Sequence, residues 1–239
     1  CSAICFYCNH TTAIKKNSSS TKKYIRFLLR DIKLQGRLFQ DDPSVKQIYF
    51  GGGTPTLFNE EELHCVTNEI HQHFNLSTDG EYTIQVDPRE IAAHTMAALK
   101  DMGFNAITLE VQDFDYEVQK AIRRIQPESK TISTIQAAQL EKFQTITIRL
   151  IYGLPKQTVK KFDETLKKII AQHPDRISLV NYVHLPEKFK PQRNISTVDL
   201  PSAEIRLEMI QQAITRLSDA DYVHIGINLF SKSNDELAL

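Results

Sequence analysis

Five short runs rich in β-branched and aromatic residues are separated by stretches of helical period, and this alternation is the strongest constraint on the fold. The runs are Gln47–Phe50 (QIYF), Tyr82–Val86 (YTIQV), Ala106–Val111 (AITLEV), Thr145–Tyr152 (TITIRLIY) and Arg176–Val183 (RISLVNYV). Their composition is that of β-strands. Between them, Val159, Phe162, Leu166, Ile169 and Ile170 step by three and four, which gathers an apolar helix face. Asn59 followed by Glu62 has the spacing of a capping box. Pro201 and Glu204 open a later helix, expected to bury Ile205, Met209, Ile210, Ile214 and Leu217. Strands joined by helices of this length make βα units and a parallel sheet, closed into a barrel or left open. In both forms chemistry gathers beyond the carboxyl ends of the strands. Gly51–Gly53 falls there, directly after QIYF. The stretch KKNSSSTKK, beginning at Lys15, is expected to be a short solvated loop.

Three of the four cysteines, Cys1, Cys5 and Cys8, crowd the first ten residues, with His10 just behind. A disulfide framework would spread them, so the pattern reads as metal chemistry in a reducing cytoplasm. A tetrahedral zinc takes four ligands, which Cys1, Cys5, Cys8 and His10 can supply. Three thiolates without the histidine suit a four-iron cluster with one iron open to an outside ligand. The spacing C-x-x-x-C-x-x-C differs from both the ferredoxin and the common zinc-finger spacings, and both assignments stay open. Cys65, in EELHCVTNEI, is expected to be a buried structural thiol. Lys and Arg total 29, as do Asp and Glu, so no nucleic-acid partner held by bulk charge is expected. No apolar run approaches the ~20 residues that span a bilayer, so no membrane partner is expected either. The 239 residues are expected to form a single domain, 1–239.

The pattern C-x-x-x-C-x-x-C with an aromatic, Tyr7, before its last cysteine is the signature of the radical S-adenosylmethionine (SAM) enzymes. FGGGTPT at Phe50–Thr56 looks like their glycine motif. VDPREI from Val86, VQDF from Val111, LIYGLPKQT from Leu150 and DRISLVNYVHLP from Asp175 narrow the resemblance. With DLPSAEIRLEMIQQAI and NDELA near the end, the chain is similar throughout to the oxygen-independent coproporphyrinogen III dehydrogenases. That resemblance implies a partial (β/α)6 TIM-like barrel, with the first strand and a C-terminal domain lying outside this catalytic piece. It implies a 4Fe–4S cluster on Cys1, Cys5 and Cys8, with SAM on the open iron. By motif, SAM would meet Tyr7, Gly52, Gly53, Thr54, Gln85, Gln112, Arg124, Arg149 and Val183, the last through its backbone. One-electron reduction would then yield a 5′-deoxyadenosyl radical that removes hydrogen from a propionate. Loss of carbon dioxide and an electron leaves a vinyl group; done twice, this turns coproporphyrinogen III into protoporphyrinogen IX. The resemblance further implies an electron donor and a monomer.

Several departures fall on ligand positions. The family has Glu where this chain has Gln85, and Asp where it has Arg149. Glutamine keeps an acceptor oxygen, whereas arginine offers only donors. Glu110 replaces a glycine, and Asn228 and Leu229 replace Asp and His. Glu110 and Arg149 come from neighbouring strands and are expected to pair across the barrel, within the space SAM would use. Three readings follow: a divergent enzyme, a cluster- or haem-binding relative of the haem-chaperone kind, and an inactive scaffold with an impaired SAM site.

Overall fold

The computed structural model describes residues 1–10, 18–92, 94–226 and 228–239. Strands β1 (Ser44–Phe50), β2 (Asn75–Val86), β3 (Ala106–Gln112), β4 (Thr145–Tyr152) and β5 (Arg176–Asn181) run parallel in that order. Four of the five strand-like runs lie wholly within one of them; the fifth, Arg176–Val183, overshoots β5, which ends at Asn181. Two further strands, β6 (Tyr222–Gly226) and β7 (Leu229–Lys232), form an antiparallel hairpin, with β7 against β5. The sequence reading has no such hairpin. His224, Gly226 and Asn228 break the apolar alternation that marks a strand.

The helices are α1 (Ser18–Leu38), α2 (Glu60–His73), α3 (Thr95–Asp101), α4 (Tyr116–Ala121), α5 (Glu128–Leu140), α6 (Val159–Ile170) and α7 (Ala203–Asp219). The capping box is present: Glu62 N–H donates to Asn59 Oδ1 at 2.8 Å, and Asn59 N–H to Glu62 Oε2 at 3.0 Å. Helix α6 buries Phe162, Leu166 and Ile169, as its periodicity demands.

Three local expectations are corrected. Lys15–Asn17 of the supposed polar loop lie outside the described residues, but Ser18 onward is the first turn of α1. Serine is tolerated at a helix start far better than in its interior, and Thr21 and Ile25, one turn apart, supply the buried face. Helix α7 buries Met209, Ala213 and Leu217, a stripe of i, i+4 and i+8, so Ile205 and Ile214 fall outside it and are exposed. Cys65 is exposed, because α2 turns Leu63, Val66 and Thr67 inward and Cys65 sits on the opposite side.

Strand alternation separates a structural face from a chemical one. All seven residues of β3 are buried, as expected for a parallel strand covered on both faces. On β3 and β4, Leu109, Val111, Ile148 and Leu150 join the core under the helices. The residues between them, Glu110 and Arg149, point the other way and line a cavity. At the opposite end of the strands, Arg176 opens β5 and binds Glu81 of β2 at 2.7 Å and Asp235 at 2.7 Å.

Just past β3, Asp113 has no exposed surface and accepts from Asp115 N–H at 2.7 Å, Gln157 Nε2 at 2.5 Å and Thr165 Oγ1 at 2.9 Å. These bonds tie the end of β3 to the turn after β4 and to α6. Burial pushes the carboxyl up to about 6, against the pull of those donors. Between about pH 4 and 6 the folded chain therefore keeps a proton that the unfolded chain has released. Stability is fully present below that window and falls as pH rises through it, by up to ~3 kcal/mol. Urea unfolding at a series of pH values should show this fall, and Asp113→Asn should flatten it whatever its absolute stability. An unchanged slope in the variant would assign the effect elsewhere.

Candidate active site at the strand ends

The cysteine segment lies across the carboxyl ends of the strands and is fixed there by backbone bonds. Phe6 N–H donates to Ile122 O at 2.9 Å, and Cys8 N–H to Cys5 O at 3.3 Å, a tight turn that brings those two cysteines together. Gln192 has no exposed surface and donates through Nε2 to Tyr7 O at 3.1 Å and Val183 O at 3.2 Å. It thus clamps the cysteine segment to the chain beyond β5. Gln192 carries no sequence signal, since its role depends on contacts between distant segments.

Cys1, Cys5 and Cys8 all open on a cavity of about 370 Å³. Tyr7, Gly53, Thr54, Gln85, Arg124, Arg149 and Val183 line the same cavity. Two expected residues stand outside its wall. Gly52 lies one position before Gly53 and donates its N–H to Gln85 Oε1 at 3.1 Å. Gln112 is buried behind the wall, with Nε2 donating to Glu110 Oε2 at 2.6 Å and its Oε1 without a partner.

Gly52 and Gly53 both have positive φ, 71° and 64°, where a side chain is strained. A Cβ on Gly52 would meet nothing, so the glycine there serves the backbone turn and leaves open space. A Cβ on Gly53 would lie 3.9 Å from Cys1 Sγ, and Thr54 Oγ1 lies 3.4 Å from that sulfur. Thus the turn after β1 sets a side-chain-free backbone and the Thr54 hydroxyl beside the first cysteine. This is a cradle for the polar end of a ligand.

Beneath Cys5 lies a charged layer in which Arg124, expected by motif, is joined by Asp87 and Arg89. Asp87 accepts from Arg89 Nε at 3.0 Å and Nη2 at 2.7 Å, and from Arg124 Nη1 at 2.9 Å. Burial raises the carboxyl, but the Arg89 bond and the two guanidinium charges outweigh it and hold Asp87 below its usual range. Arg124 is 4% exposed and also donates to Glu110 O at 2.7 Å and Gln126 Oε1 at 3.0 Å. A solvated surface role for Arg124 or Gln112 is therefore excluded. Arg89 Nη2 and Arg124 Nη1 point toward Cys5 Sγ at 3.9 and 4.0 Å, which suits an anionic sulfur. Desolvation pushes the Tyr7 phenol far above its usual range, against the Arg124 charge, so the phenol stays neutral. In sequence, the signal for Asp87 and Arg89 was their place in VDPREI.

Glu110 and Arg149 are register partners across β3 and β4, and they pair at 3.1 Å. The expected ion pair is present in the cavity wall. Arg149 Nε is shielded from solvent without a partner.

A single zinc draws its thiolates to about 2.3 Å of one centre. Among the described residues, no three His, Cys, Asp or Glu side chains are gathered that way. A cluster spreads its thiolates over separate irons, and three cysteines around one cavity, backed by guanidinium donors, fit that group. The glycine turn fits the polar end of SAM. Arg149 offers no acceptor to a ribose or an ammonium, and both carboxylate oxygens of Glu110 are already engaged, by Arg149 and by Gln112 Nε2.

The radical SAM superfamily model matches residues 1–169. Over 240 aligned positions, the chain is 42% identical to the oxygen-independent coproporphyrinogen III oxidase of Pseudomonas aeruginosa, covering 100% of this chain and 52% of that protein. Identity to the Escherichia coli enzyme of the same name is 36%, again over 52% of its length. The solved structure of coproporphyrinogen III oxidase from Escherichia coli, described as a radical SAM enzyme, superposes with a TM-score of 0.95 over 100% of this chain and 55% of that one. The chain spans about half the length of the curated relatives it matches. The chain belongs to the radical SAM superfamily.

Proposed function

We propose that this chain is the barrel of a coproporphyrinogen III oxidase, converting two propionates of coproporphyrinogen III to vinyl groups in haem biosynthesis. The observation that carries the reading is the convergence of Cys1, Cys5, Cys8 and the Gly53–Thr54 turn on one cavity at the strand ends. Identity of 36–42% through the whole chain to enzymes of that name supports it.

Cys1, Cys5 and Cys8 would hold a 4Fe–4S cluster, and Gly52, Gly53 and Thr54 would receive SAM. When bound, these groups supply the carbon-centred radical that abstracts hydrogen. The chain's own part is positional. Arg124 and Arg89 hold positive charge beside Cys5, opposing the charge of anionic ligands. Gln85 keeps Gly52 N–H in place and retains a free amide group at the wall. The carboxylate at Asp87 stays ionised and keeps both arginines ordered, while Tyr7 closes the wall with a neutral phenol. Ile151, Val180 and Tyr182 supply apolar surface to the cavity wall and would limit water there once substrate is bound. The reading also carries a small-molecule porphyrinogen substrate, an external electron donor, a monomer and a cytoplasmic setting. Among the described residues no helix is long and apolar enough to cross a membrane.

Anaerobic iron–sulfide reconstitution tests the proposal. Iron and sulfide are expected in equal amounts, followed by 5′-deoxyadenosine and vinyl product when dithionite, SAM and coproporphyrinogen III are added. Zinc at one equivalent without sulfide would sink it. The Glu110–Arg149 pair favours one second reading, a cluster- or haem-binding relative without radical chemistry. Saturable haem binding with no 5′-deoxyadenosine would select that alternative.

A further inference from the structure

A second cavity, of about 390 Å³, adjoins the first and shares Asn181, Tyr182 and Val183 with it. Gly153, His184, Leu200, Pro201 and Arg206 complete its lining, so no acidic side chain faces it. Arg206 stands in the first turns of α7, and its Nε is shielded from solvent without a hydrogen-bond partner. Among the described residues no carboxylate forms a close ion pair with Arg206, although the charge of exposed Glu204, on the same helix turn, is near enough to interact with it. Elsewhere in this chain the half-buried and buried arginines are matched: Arg89 and Arg124 by Asp87, Arg149 by Glu110, Arg176 by Glu81 and Asp235, and Arg216 by Asp163. Arg206 is the exception within that set.

The site is built to hold this guanidinium in place. A Cβ on Gly153 would come within 2.8 Å of Arg206 Cδ, so the arginine stem lies directly on a backbone that only glycine allows, at φ 84°. Beside it, His184 Nδ1 is engaged by the Tyr182 hydroxyl at 2.9 Å, which fixes the imidazole and leaves Nε2 for a ligand. A partly buried cation, a fixed imidazole and an amide, with no acidic group in the lining, ask for a small planar anion. A carboxylate matches the guanidinium fork with two parallel bonds.

We infer that this cavity seats a propionate carboxylate of the tetrapyrrole on Arg206, while the ring system lies over the shared Asn181–Val183 wall toward the first cavity. The inference rests on the proposed function, since that reading supplies a ligand with several carboxylates. Arg206 is a substrate-binding residue that makes no contact with Cys1, Cys5 or Cys8, which line only the first cavity.

Fluorescence anisotropy of coproporphyrin III, the unreactive oxidised analogue, titrated anaerobically with the full-length reconstituted protein, tests this seat. The wild type should bind saturably, Arg206→Gln should weaken binding by about tenfold or more, and Arg206→Lys should recover part of the loss. The tetramethyl ester of the same porphyrin, which has no carboxylate, should bind both proteins equally. Thermal melting of each variant separates a folding defect from a binding one, and a tenfold loss at unchanged Tm supports the seat. Binding by Arg206→Gln within twofold of the wild type overturns the seat and leaves the proposed function standing. Equal losses for the acid and its ester overturn it as well, since a carboxylate would then not be what Arg206 holds. A selective loss of SAM binding in Arg206→Gln would assign the cavity to the other carboxylate-bearing ligand and also overturn it. No saturable binding by the wild type overturns the tetrapyrrole reading and the seat together.

Discussion

Cys5→Ala should leave the reconstituted protein without iron or sulfide. Cys5 is the most buried of the three clustered cysteines and the one toward which both Arg89 and Arg124 point. Removal of one outer-shell partner of a metal ligand already costs roughly 10–100-fold in affinity, and loss of a ligand should exceed that. The substitution also strands two guanidinium groups beside an apolar methyl, with Asp87 as their remaining counter-charge. The controls distinguish ligation from folding. Cys65→Ala, on the exposed side of α2, should retain full iron and sulfide. Cys5→Ala should keep the far-ultraviolet signature of the wild type, because the core under the helices does not include Cys5. Equal iron in Cys5→Ala and wild type would remove the cluster from this site.

The second large effect concerns the pair in the cavity wall. Arg149→Asp alone should destabilise the fold, since it sets two carboxylates at register-paired positions, one of them on a buried Glu110. Adding Glu110→Gly should relieve the repulsion, so the two changes couple. Arg149 is about a third exposed, which places the coupling at ~1–3 kcal/mol rather than the larger figure of a fully buried pair. The double variant also exchanges a cation with only donors for an acceptor beside the glycine turn. A sulfonium ligand should bind it more tightly, by about tenfold or more, as expected from removing one like charge at close range. Equilibrium dialysis with SAM on reconstituted protein measures this. SAM affinity equal in wild type and double variant would mean that the pair does not obstruct the ligand.

The parallel sheet was legible because strand composition and helix period are local properties. The glycine turn and cysteine triad were legible because each is contiguous in the chain. What the sequence hid were groups whose work is set by other segments. Gln192 looks like any polar residue in KPQRN until it is seen to span Tyr7 and Val183. Asp87 and Arg89 read as a short motif, and only the fold shows Arg124 completing their cluster. Helix α7 misled for a different reason. Its large apolar residues outnumber the positions facing the sheet, and Ala213, small and easily overlooked, occupies the centre of the buried stripe.

Arg176 has a consequence for the shape of the whole half-barrel. Its guanidinium joins β5 to Glu81 on β2, two strands that have β3 and β4 between them in the sheet. Strands that are not neighbours can be bridged by one side chain only if the sheet curls and brings them across a chord. The molecule is thus braced like a bow, with a short polar string drawn across the end farthest from the cavity. Slackening that string, as by Glu81→Ala, would let the arc open, and the spacing of the strand tips at the far mouth would widen although no residue there had been touched.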